Sequence, residues 1–499
     1  MSLVVQFLTQ INQQVRNQQG DALCSWLQVS PESGAQYHQL ASELRTQTQY
    51  ASGSPGGLDD VVDRNLPESD DDDVVSPWSG FRSFIKDYMA FWRDVDYDDL
   101  VAAHDLLNTL VNSCATALSH PQGGMMLKTS MSLSETLAGL TMTLSRRPDL
   151  LRRAERAAAP GDDSQKSLAE KSAETIQRIF KTCLQDRTTD RYTTPGGTKV
   201  AVYKFANLVL KLLFACRRIQ LATMLLTQIE SQAPLLSLYP ASQRVTYLYY
   251  LGRYWLSNNH FVRASRCLSA AYAQTPARFV SHRTRMLTYL IPCNMLLGRF
   301  PSDRHLLSAR PEAATLGPVF GPLCSALRTG DFASYQRLLA ERESWLLRRG
   351  LLLPLTYKLR PLLWRSLARR VFLLTYEPPL DPSSRKAATL DITHLQAAAE
   401  YLQRRMAETA AGKLRPNEGM VWGNQSVSFD HVEMVVTELV QQGLMHGFVA
   451  HNQRRFAIIG AKAKGPVIAG WPPVWQAVQE RRYDDDFDPS DIPGWVGAP

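Results

Sequence analysis

The chain has 499 residues, of which 44% are hydrophobic and 20% charged, so its bulk is globular and long enough for two or three domains. Its seven cysteines lie singly without a C-x-x-C pair, which argues against a disulfide framework and favours a reducing compartment. No apolar run approaches the length of a membrane span and the N-terminus lacks the features of a signal peptide, so we expect a soluble intracellular protein without membrane contact.

The formal net charge of +8 is distributed unevenly along the chain. Residues 51–100 contain thirteen Asp and Glu against four Lys and Arg, whereas residues 341–470 contain eighteen Lys and Arg against eleven Asp and Glu. Residues 471–499 are acidic again, with six acidic and two basic side chains. A basic segment between acidic ones fits an ordinary solvated surface, and it is also typical of a surface that binds polyanions.

Residues 1–50 are predicted to be a helical segment, followed by an acidic flexible linker over 51–77. Apolar side chains recur at helical spacing at the start of the chain, at Val4, Phe7, Leu8, Ile11 and Val15. The linker contains Ser-Gly-Ser-Pro-Gly-Gly and the run Asp70–Asp73, which we interpret as a solvated segment and not as a cation site.

Residues 78–376 are predicted to form a stack of helical hairpins. From residue 200 onwards, apolar helical stretches alternate with short breaks, at 237–241, 257–260, 275–278, 298–302 and 329–331. In one hairpin, the large Tyr254 and Trp255 precede a turn, and the small Ala264 and Ala271 follow on the next helix. Large residues opposite small ones give close antiparallel packing, as in tetratricopeptide repeats, so we predict an all-α, tetratricopeptide-like solenoid with exposed grooves.

Residues 377–470 show the order of elements that is typical of a winged helix. Two helices and two short strands are predicted, at 390–406, 429–442, 446–451 and 454–459. The second helix has Asp430 as its expected N-cap, and residues 408–428 read as an inserted loop. Residues 471–499 are predicted to be an acidic C-terminal tail that only its tryptophans attach to the domain.

No motif for catalysis, for nucleotide binding or for a metal site is found in the sequence. It has no P-loop, no G-x-G-x-x-G and no G-x-S-x-G elbow. Its ten histidines are scattered, and His446 and His451 lack further metal ligands nearby. We therefore predict that the protein is not an enzyme and that it uses no metal and no cofactor.

Several longer runs resemble the PCI domain-containing protein 2 family, which includes fungal homologues described as COP signalosome subunit-twelve-like. These runs are SQRVTYLYYLGR (242–253), RMLTYLIPCNMLLG (285–298), WRSLARRV (364–371), EMVVTELVQQGLMHGFVAH (433–451) and Trp471-Pro472-Pro473, where the family carries Phe-Pro-Pro. The resemblance is dense over 200–460, moderate over 81–200 and weak before that.

The resemblance implies a PCI domain, in which a stack of helical hairpins runs into a winged helix. It also implies a role in transcription and export complex two, in the nucleus and at the nuclear pore, with some protein in the cytoplasm. The implied partners are a large nuclear scaffold subunit of the germinal-centre-associated nuclear protein type, a small acidic disordered protein shared with the proteasome lid, and RNA or single- or double-stranded DNA. The linker 51–77, the insertion 408–428 and the acidic tail depart from the family pattern.

A winged helix contacts nucleic acid first through backbone phosphates, using Lys and Arg side chains that need not read bases. The candidates lie at the wing, just beyond it, and on the preceding helix: Arg454, Arg455, Lys462, Lys464, Lys358, Arg365, Arg369 and Arg370. Positions 358, 365 and 369 are expected to share one helical face. Plain solubility for the wing, and salt bridges within the stack for the helix, are the alternatives.

Two sets of residues are candidates for protein contacts. A disordered acidic partner would find arginines on the hairpins between 250 and 290, namely Arg253, Arg263, Arg266, Arg283 and Arg285. Edge-to-edge pairing with another winged helix would use apolar residues of the wing strands, namely Phe448, Val449, Phe456 and Ile458. Phe448 and Phe456 fit equally well as core residues.

Two functions therefore remain open from the sequence. The first is a scaffold for RNA export that heterodimerises and binds RNA or DNA without strong sequence preference. The second is a PCI assembly subunit of a COP signalosome- or proteasome-lid-type complex with protein contacts only, or of a paralogous splicing-linked complex. The balance of +7 over 341–470 favours the first, because a pure assembly subunit has no need for it.

Overall fold

The structure is a computed structural model that describes residues 2–30, 32, 34–47, 57–67, 76–150, 152, 166–301, 311–378, 387–410 and 412–481. It is mostly helical, with one small three-stranded sheet, and it divides into two compact units, 1–250 and 251–489. The predicted fold class, helical hairpins that end in a winged helix, is confirmed. No helix within the described ranges is long and apolar enough to cross a membrane.

The first unit contains ten helices within its described residues: α1 Leu3–Arg16, α2 Gly20–Trp26, α3 Ala35–Thr46, α4 Leu58–Asn65, α5 Ser79–Asp94, α6 Leu100–Leu118, α7 Leu127–Leu144, α8 Leu168–Gln185, α9 Val202–Ala215 and α10 Ala222–Gln232. Short 3-10 turns connect some of them, at Pro121–Met126, Gly197–Ala201, Ile219–Leu221 and Leu236–Leu238. The next helix, α11 Ala241–Ser257, crosses the boundary between the units.

The apolar face predicted for α1 is buried, with all five of its residues at most 7% exposed. Phe7 stacks on Trp26 and on Tyr88, with ring centroids 5.4 and 6.0 Å apart, and so joins α1 to α2 and α5. Helix α8 is capped at its N-terminus, because Ser167 accepts a hydrogen bond from the Glu170 backbone N–H.

The prediction of a flexible linker over 51–77 is wrong for its described middle part, which forms α4. Leu58, Val62 and Leu66 recur every four residues and are buried, so this acidic stretch is an amphipathic helix. Lys86 of α5 bonds to Asp63 at 2.8 Å. The Asp70–Asp73 run lies outside the described residues.

The second unit continues with α12 Phe261–Gln274, α13 Val280–Leu296, α14 Pro311–Thr329, α15 Phe332–Glu341, α16 Glu343–Arg348, a π-helical turn Pro354–Lys358, and α17 Arg360–Thr375. The predicted hairpin is present as α11 and α12. A Cβ atom on Gly252 of α11 would lie 2.6 Å from the Leu268 side chain of α12, so the helices touch at their closest approach. The described breaks between these helices fall where the sequence predicts them.

The winged-helix domain, taken as residues 360–481, is wider than the predicted 377–470, because α17 packs against the strand and helices that follow it and a last helix follows residue 470. After α17 come β1 Thr389–Asp391, α18 Ile392–Thr409, α19 Phe429–Gln441, β2 Gly447–Ala450, β3 Arg455–Ile458, α20 Ala461–Lys464, α21 Pro466–Gly470 and α22 Val474–Glu480. The strands are antiparallel in the order β1-β3-β2, with Phe456 of β3 opposite both Leu390 and Val449. The hairpin of β2 and β3 is the predicted wing.

Three boundaries in this domain differ from the prediction. Strand β1 takes Leu390 out of the predicted helix, and Asp391 instead caps α18 by accepting a hydrogen bond from the Thr393 N–H at 2.9 Å. Ser428, and not Asp430, caps α19. The tail begins later than the predicted residue 471. Trp471 is 4% exposed and packs on Phe372 and Phe456, and α22 follows it. Residues 482–499, with Trp495, lie outside the described part.

The close approach of Gly330 to α17 gives a test of how the turn after α14 packs on that helix. Gly330 has φ +69°, and a Cβ atom there would lie 2.4 Å from the Leu367 backbone N of α17, whereas Gly350 has φ +70° with open space around it. We expect Gly350→Ala to lower the free energy of unfolding by about 1–2 kcal/mol through backbone strain alone. Gly330→Ala should lower it by about 1–3 kcal/mol more through overpacking, as measured by denaturant unfolding. Equal losses in the two variants would show that the turn and α17 do not touch as described.

Candidate nucleic-acid and partner surfaces

Arg365 is half-buried within the winged-helix domain and bonds to three backbone carbonyls. Its Nε donates to Leu444 O at 3.1 Å, and its Nη2 donates to Trp471 O at 3.1 Å and to Pro472 O at 2.7 Å. Burial lowers the pKa of Arg365 to about 10, so the side chain stays charged at neutral pH. The prediction that Arg365 binds phosphate is therefore corrected: its donors already join α17 to the segments after α19 and after β3.

The predicted basic face of one helix also changes. Lys358 ends the π-helical turn and α17 begins at Arg360, so Lys358 is not in α-helical register with Arg365 and Arg369. Lys358, Arg369 and Arg370 are all exposed. They remain candidates as separate surface cations, and not as one stripe through Arg365.

At the wing, the predicted cations are exposed. Arg454 adopts the left-handed conformation at φ 54°, which turns the chain into β3, and its guanidinium lies 5.1 Å from the centre of the Phe429 ring. Arg455 opposes Asp391 in the sheet register. Lys462 and Lys464 lie in α20, just after β3, and are exposed too.

Helix α19, which precedes the wing, is acidic, although the net charge of the whole segment 341–470 is positive. Helix α19 contains Asp430, Glu433 and Glu438 but no Lys or Arg. Glu433 accepts a hydrogen bond from the wing residue His451, with 2.8 Å between Oε1 and Nδ1. In a helix-turn-helix the second helix enters the major groove, and an acidic helix would be repelled there. Counting charge helix by helix would have found this signal.

The arginines predicted to bind an acidic partner have different environments. Arg283 is committed within the unit: its Nε bonds to Glu312 at 2.6 Å and its Nη1 to Thr275 O at 2.7 Å. Its guanidinium also lies 3.9 Å from the centre of the Tyr272 ring, so its predicted role is corrected to a structural one. Arg253 and Arg263 lie over the Tyr289 and Trp255 rings, Arg266 is half-buried, and Arg285 is exposed.

The four residues predicted for pairing between winged helices separate by strand. Phe456 and Ile458 are 0% and 4% exposed on β3, which is the central strand, so they are core residues and offer no edge. Phe448 is 56% exposed on β2, an outer strand of the sheet, next to the half-buried Val449. An apolar contact at β2 therefore remains available in the structure.

One buried polar cluster in the first unit has the spacing of a hydrolase triad. His104 Nε2 lies 2.9 Å from Ser172 Oγ, and His104 Nδ1 lies 3.3 Å from Asp105 Oδ1. However, Ser172 and His104 are 0% and 1% exposed, and Thr141 also bonds to both. A substrate cannot reach this serine, so the cluster is a hydrogen-bond network that joins α6, α7 and α8. Within the described ranges, no group of three or more His, Cys, Asp or Glu is placed to hold a metal ion.

Comparison with known proteins identifies relatives of the chain, although no family model matches it. A PCI domain-containing protein of Schizosaccharomyces pombe is 25% identical over 374 residues, which cover 74% of this chain and 77% of that protein. The PCI domain-containing protein 2 homologue of Drosophila melanogaster is 25% identical over 58% of this chain and 63% of its own length. The COP9 signalosome complex subunit 12 of Eremothecium gossypii is 27% identical over 60% of this chain and 68% of its own length.

The alignment therefore spans about three quarters of the Schizosaccharomyces pombe protein but less than two thirds of the Drosophila melanogaster protein. The names of these relatives agree with the family whose runs of residues the sequence resembles. That resemblance is confirmed.

Arg365 gives a testable prediction for the winged-helix domain. We expect Arg365→Ala to lower the free energy of unfolding by about 3 kcal/mol, because three carbonyls lose a charged donor. Arg365→Lys should recover little of this loss, since a lysine ammonium cannot reproduce the guanidinium fork. Arg369→Ala, one turn further along α17 and exposed, is the matched control and should change stability by less than about 0.5 kcal/mol. Thermal and denaturant unfolding would measure these changes. Equal losses of unfolding free energy in Arg365→Ala and Arg369→Ala would contradict the role of Arg365.

Proposed function

Because the chain is a homologue of the PCI domain-containing protein 2 family, we propose that it is a non-catalytic PCI scaffold subunit of a transcription-coupled mRNA export complex in the nucleus. It heterodimerises with a large nuclear scaffold subunit and binds RNA or DNA through the wing side of its winged-helix domain. The observation that carries this proposal is the charge of the wing: Arg454, Arg455 and the two lysines of α20 are exposed cations on and directly after the β2–β3 hairpin.

The distribution of charge within the domain supports phosphate contacts over base recognition. The wing and α20 carry four exposed cations, while α19 carries three carboxylates and no cation. Phosphates attract the first surface and avoid the second. Nucleic acid would then lie along the wing, and binding would depend on salt but little on base sequence.

A small acidic disordered subunit is proposed to bind the hairpins α11 to α13. Arg285 is the predicted cation that is most exposed there, and Arg253 and Arg263 present their guanidinium groups on aromatic rings. An acidic chain with aromatic residues could add charge and ring contacts to these arginines.

The alternative function, an assembly subunit with protein contacts only, has an observation of its own. Exposed Phe448 on the outer strand β2 and Met434, 60% exposed on the acidic outer side of α19, suit a protein partner. The relative in Eremothecium gossypii is named as a subunit of the COP9 signalosome complex. This role requires no nucleic-acid binding, so a binding experiment separates the two functions.

The test is binding of fluorescent single-stranded RNA to the full chain, alone and with its scaffold partner, across a salt series. The double variant Arg454→Glu/Arg455→Glu should bind at least tenfold more weakly, and the slope of log affinity against log salt should fall by about 1–2. Lys462→Glu/Lys464→Glu should act in the same direction. The control is Arg146→Glu/Arg147→Glu, an adjacent exposed pair after α7 in the first unit, which reverses the same charge.

Either of two results would decide against the export scaffold. The control could weaken binding as much as the wing variants do, which would leave only non-specific charge attraction. Alternatively, the wild-type chain and its complex could both fail to bind RNA at low salt, which would leave the assembly subunit.

A further inference from the structure

The insertion predicted at 408–428 begins later, because α18 runs to Thr409, and its described part 412–428 is held against α17 and α18. Arg360 donates through Nη2 to the carbonyls of Gly419 at 2.7 Å and Met420 at 2.5 Å, and also to that of Val421. Gln403 of α18 accepts from the Met420 N–H at 2.6 Å and donates to Gly423 O at 2.8 Å. Three consecutive carbonyls and the turn after them are thus fixed by side chains from two helices.

This loop buries some of its apolar residues and presents another. Met420 and Leu414 are 1% and 8% exposed and attach the loop to the domain. Trp422 lies two residues after Met420 yet is 45% exposed, and its ring lies 4.5 Å from the Arg360 guanidinium. The loop therefore does not need Trp422 for its core, and Arg360 holds this indole at the surface.

A second exposed ring lies beside it. Tyr357, in the π-helical turn before α17, is 43% exposed, and its ring centre is 5.8 Å from that of Trp422 with 38° between the planes. Leu353, one turn earlier, is 61% exposed. The aromatic pair, as we name Tyr357 and Trp422, is a firmly supported platform of two flat, apolar rings in contact with solvent.

The two segments that carry the aromatic pair are basic in sequence. Segments 342–360 and 412–422 contain seven Lys and Arg against two Glu. Lys358 follows Tyr357 directly and is exposed. The two glutamates are already engaged, because Arg415 bonds to Glu343 at 3.0 Å and its backbone N–H bonds to Glu418 at 3.0 Å. Arg360 and Arg415 are engaged as well, with the loop carbonyls and with Glu343, so Lys358 is the exposed cation that adjoins the pair in sequence. Its positive charge suits an anion with flat faces more than it suits a neutral proline-rich peptide.

We propose that Tyr357 and Trp422 form a stacking site for the bases of single-stranded RNA, with Lys358 contacting the adjacent phosphate. Aromatic side chains next to cations bind unpaired bases without strong sequence preference, because every base has a flat π face. The bases of a duplex are stacked on each other and cannot occupy this site. The site lies apart in sequence from the wing cations, and it deepens the proposed function, on which it rests, by selecting single strands.

The experiment compares two strands that differ only in their bases. Fluorescence anisotropy would measure the affinity of the full chain for an oligouridine of about twelve nucleotides and for an abasic strand of the same length. Wild-type protein should bind the oligouridine more tightly. Trp422→Ala and Tyr357→Ala should each weaken oligouridine binding about fivefold or more and leave abasic binding unchanged, whereas Trp422→Phe should retain most of the affinity.

Trp475→Ala is the matched control, because Trp475 is 47% exposed but lies on α22, outside the two basic segments. It should change neither affinity. Thermal unfolding of each variant checks that the domain stays folded, and Tyr357→Ala, which lies outside the loop, keeps the test valid if Trp422→Ala disturbs the loop.

The outcomes separate the two proposals. Equal affinity of the wild-type chain for the base-containing and abasic strands, with wing-dependent binding intact, would overturn the stacking site and leave the proposed function standing. Unchanged oligouridine affinity in both alanine variants would do the same and would favour a proline-rich peptide at the aromatic pair. Absence of binding to either strand at low salt would overturn both proposals.

Discussion

Two arginines of α17 hold the winged-helix domain together through backbone carbonyls. Arg360 reaches the carbonyls of Gly419, Met420 and Val421 in the inserted loop, and Arg365 reaches those of Leu444, Trp471 and Pro472. A buried guanidinium is costly unless its donors are used, and a carbonyl that has left regular structure is costly unless it accepts. Arg365 donates through both Nε and Nη2, as the planar guanidinium fork allows, whereas Arg360 reaches its three carbonyls through Nη2. Segments far apart in sequence are thereby fixed to one helix.

This use of arginine changes how the positive charge of the second unit should be interpreted. The net charge of +7 over 341–470 counts Arg360 and Arg365, whose guanidinium groups bond to backbone carbonyls. It also averages in the three carboxylates of α19, a helix that has no Lys or Arg. The exposed cations that remain include those of the wing and α20, Lys358, and, on α17 and α18, Arg369, Arg370, Arg404 and Arg405. A count over a long segment therefore indicates the sign of the charge, while the contacts decide where a polyanion can lie.

Much of the fold follows from periodicity that the sequence displays. The apolar spacing in α1, the breaks between hairpins and the β2–β3 turn are all local signals, and all are present in the structure. Strand β1 could not be predicted in the same way, because Thr389–Asp391 is too short to alternate and pairs with β3, more than sixty residues away. Helix α4 was not predicted, because the neighbouring Gly, Pro and Asp residues are typical of a linker. Leu58, Val62 and Leu66 nevertheless recur every four residues, which is a helical spacing.

The candidate site was less predictable for the same reason, since an arginine on a helix looks the same in sequence whether it faces water or carbonyls. Arg365 and Arg369 lie one turn apart on α17, yet Arg365 bonds to the carbonyls of Leu444 and Trp471 while Arg369 is exposed. The insertion 408–428 departs from the family pattern, and its described part 412–428 is ordered by contacts that the sequence does not reveal. Because Arg360 and Gln403 fix its backbone, the insertion can hold Trp422 in solvent beside Tyr357 without losing its own order. A wing that attracts phosphates in any strand, together with aromatic rings that accept only unpaired bases, would let one domain combine non-specific affinity with selection for single-stranded RNA.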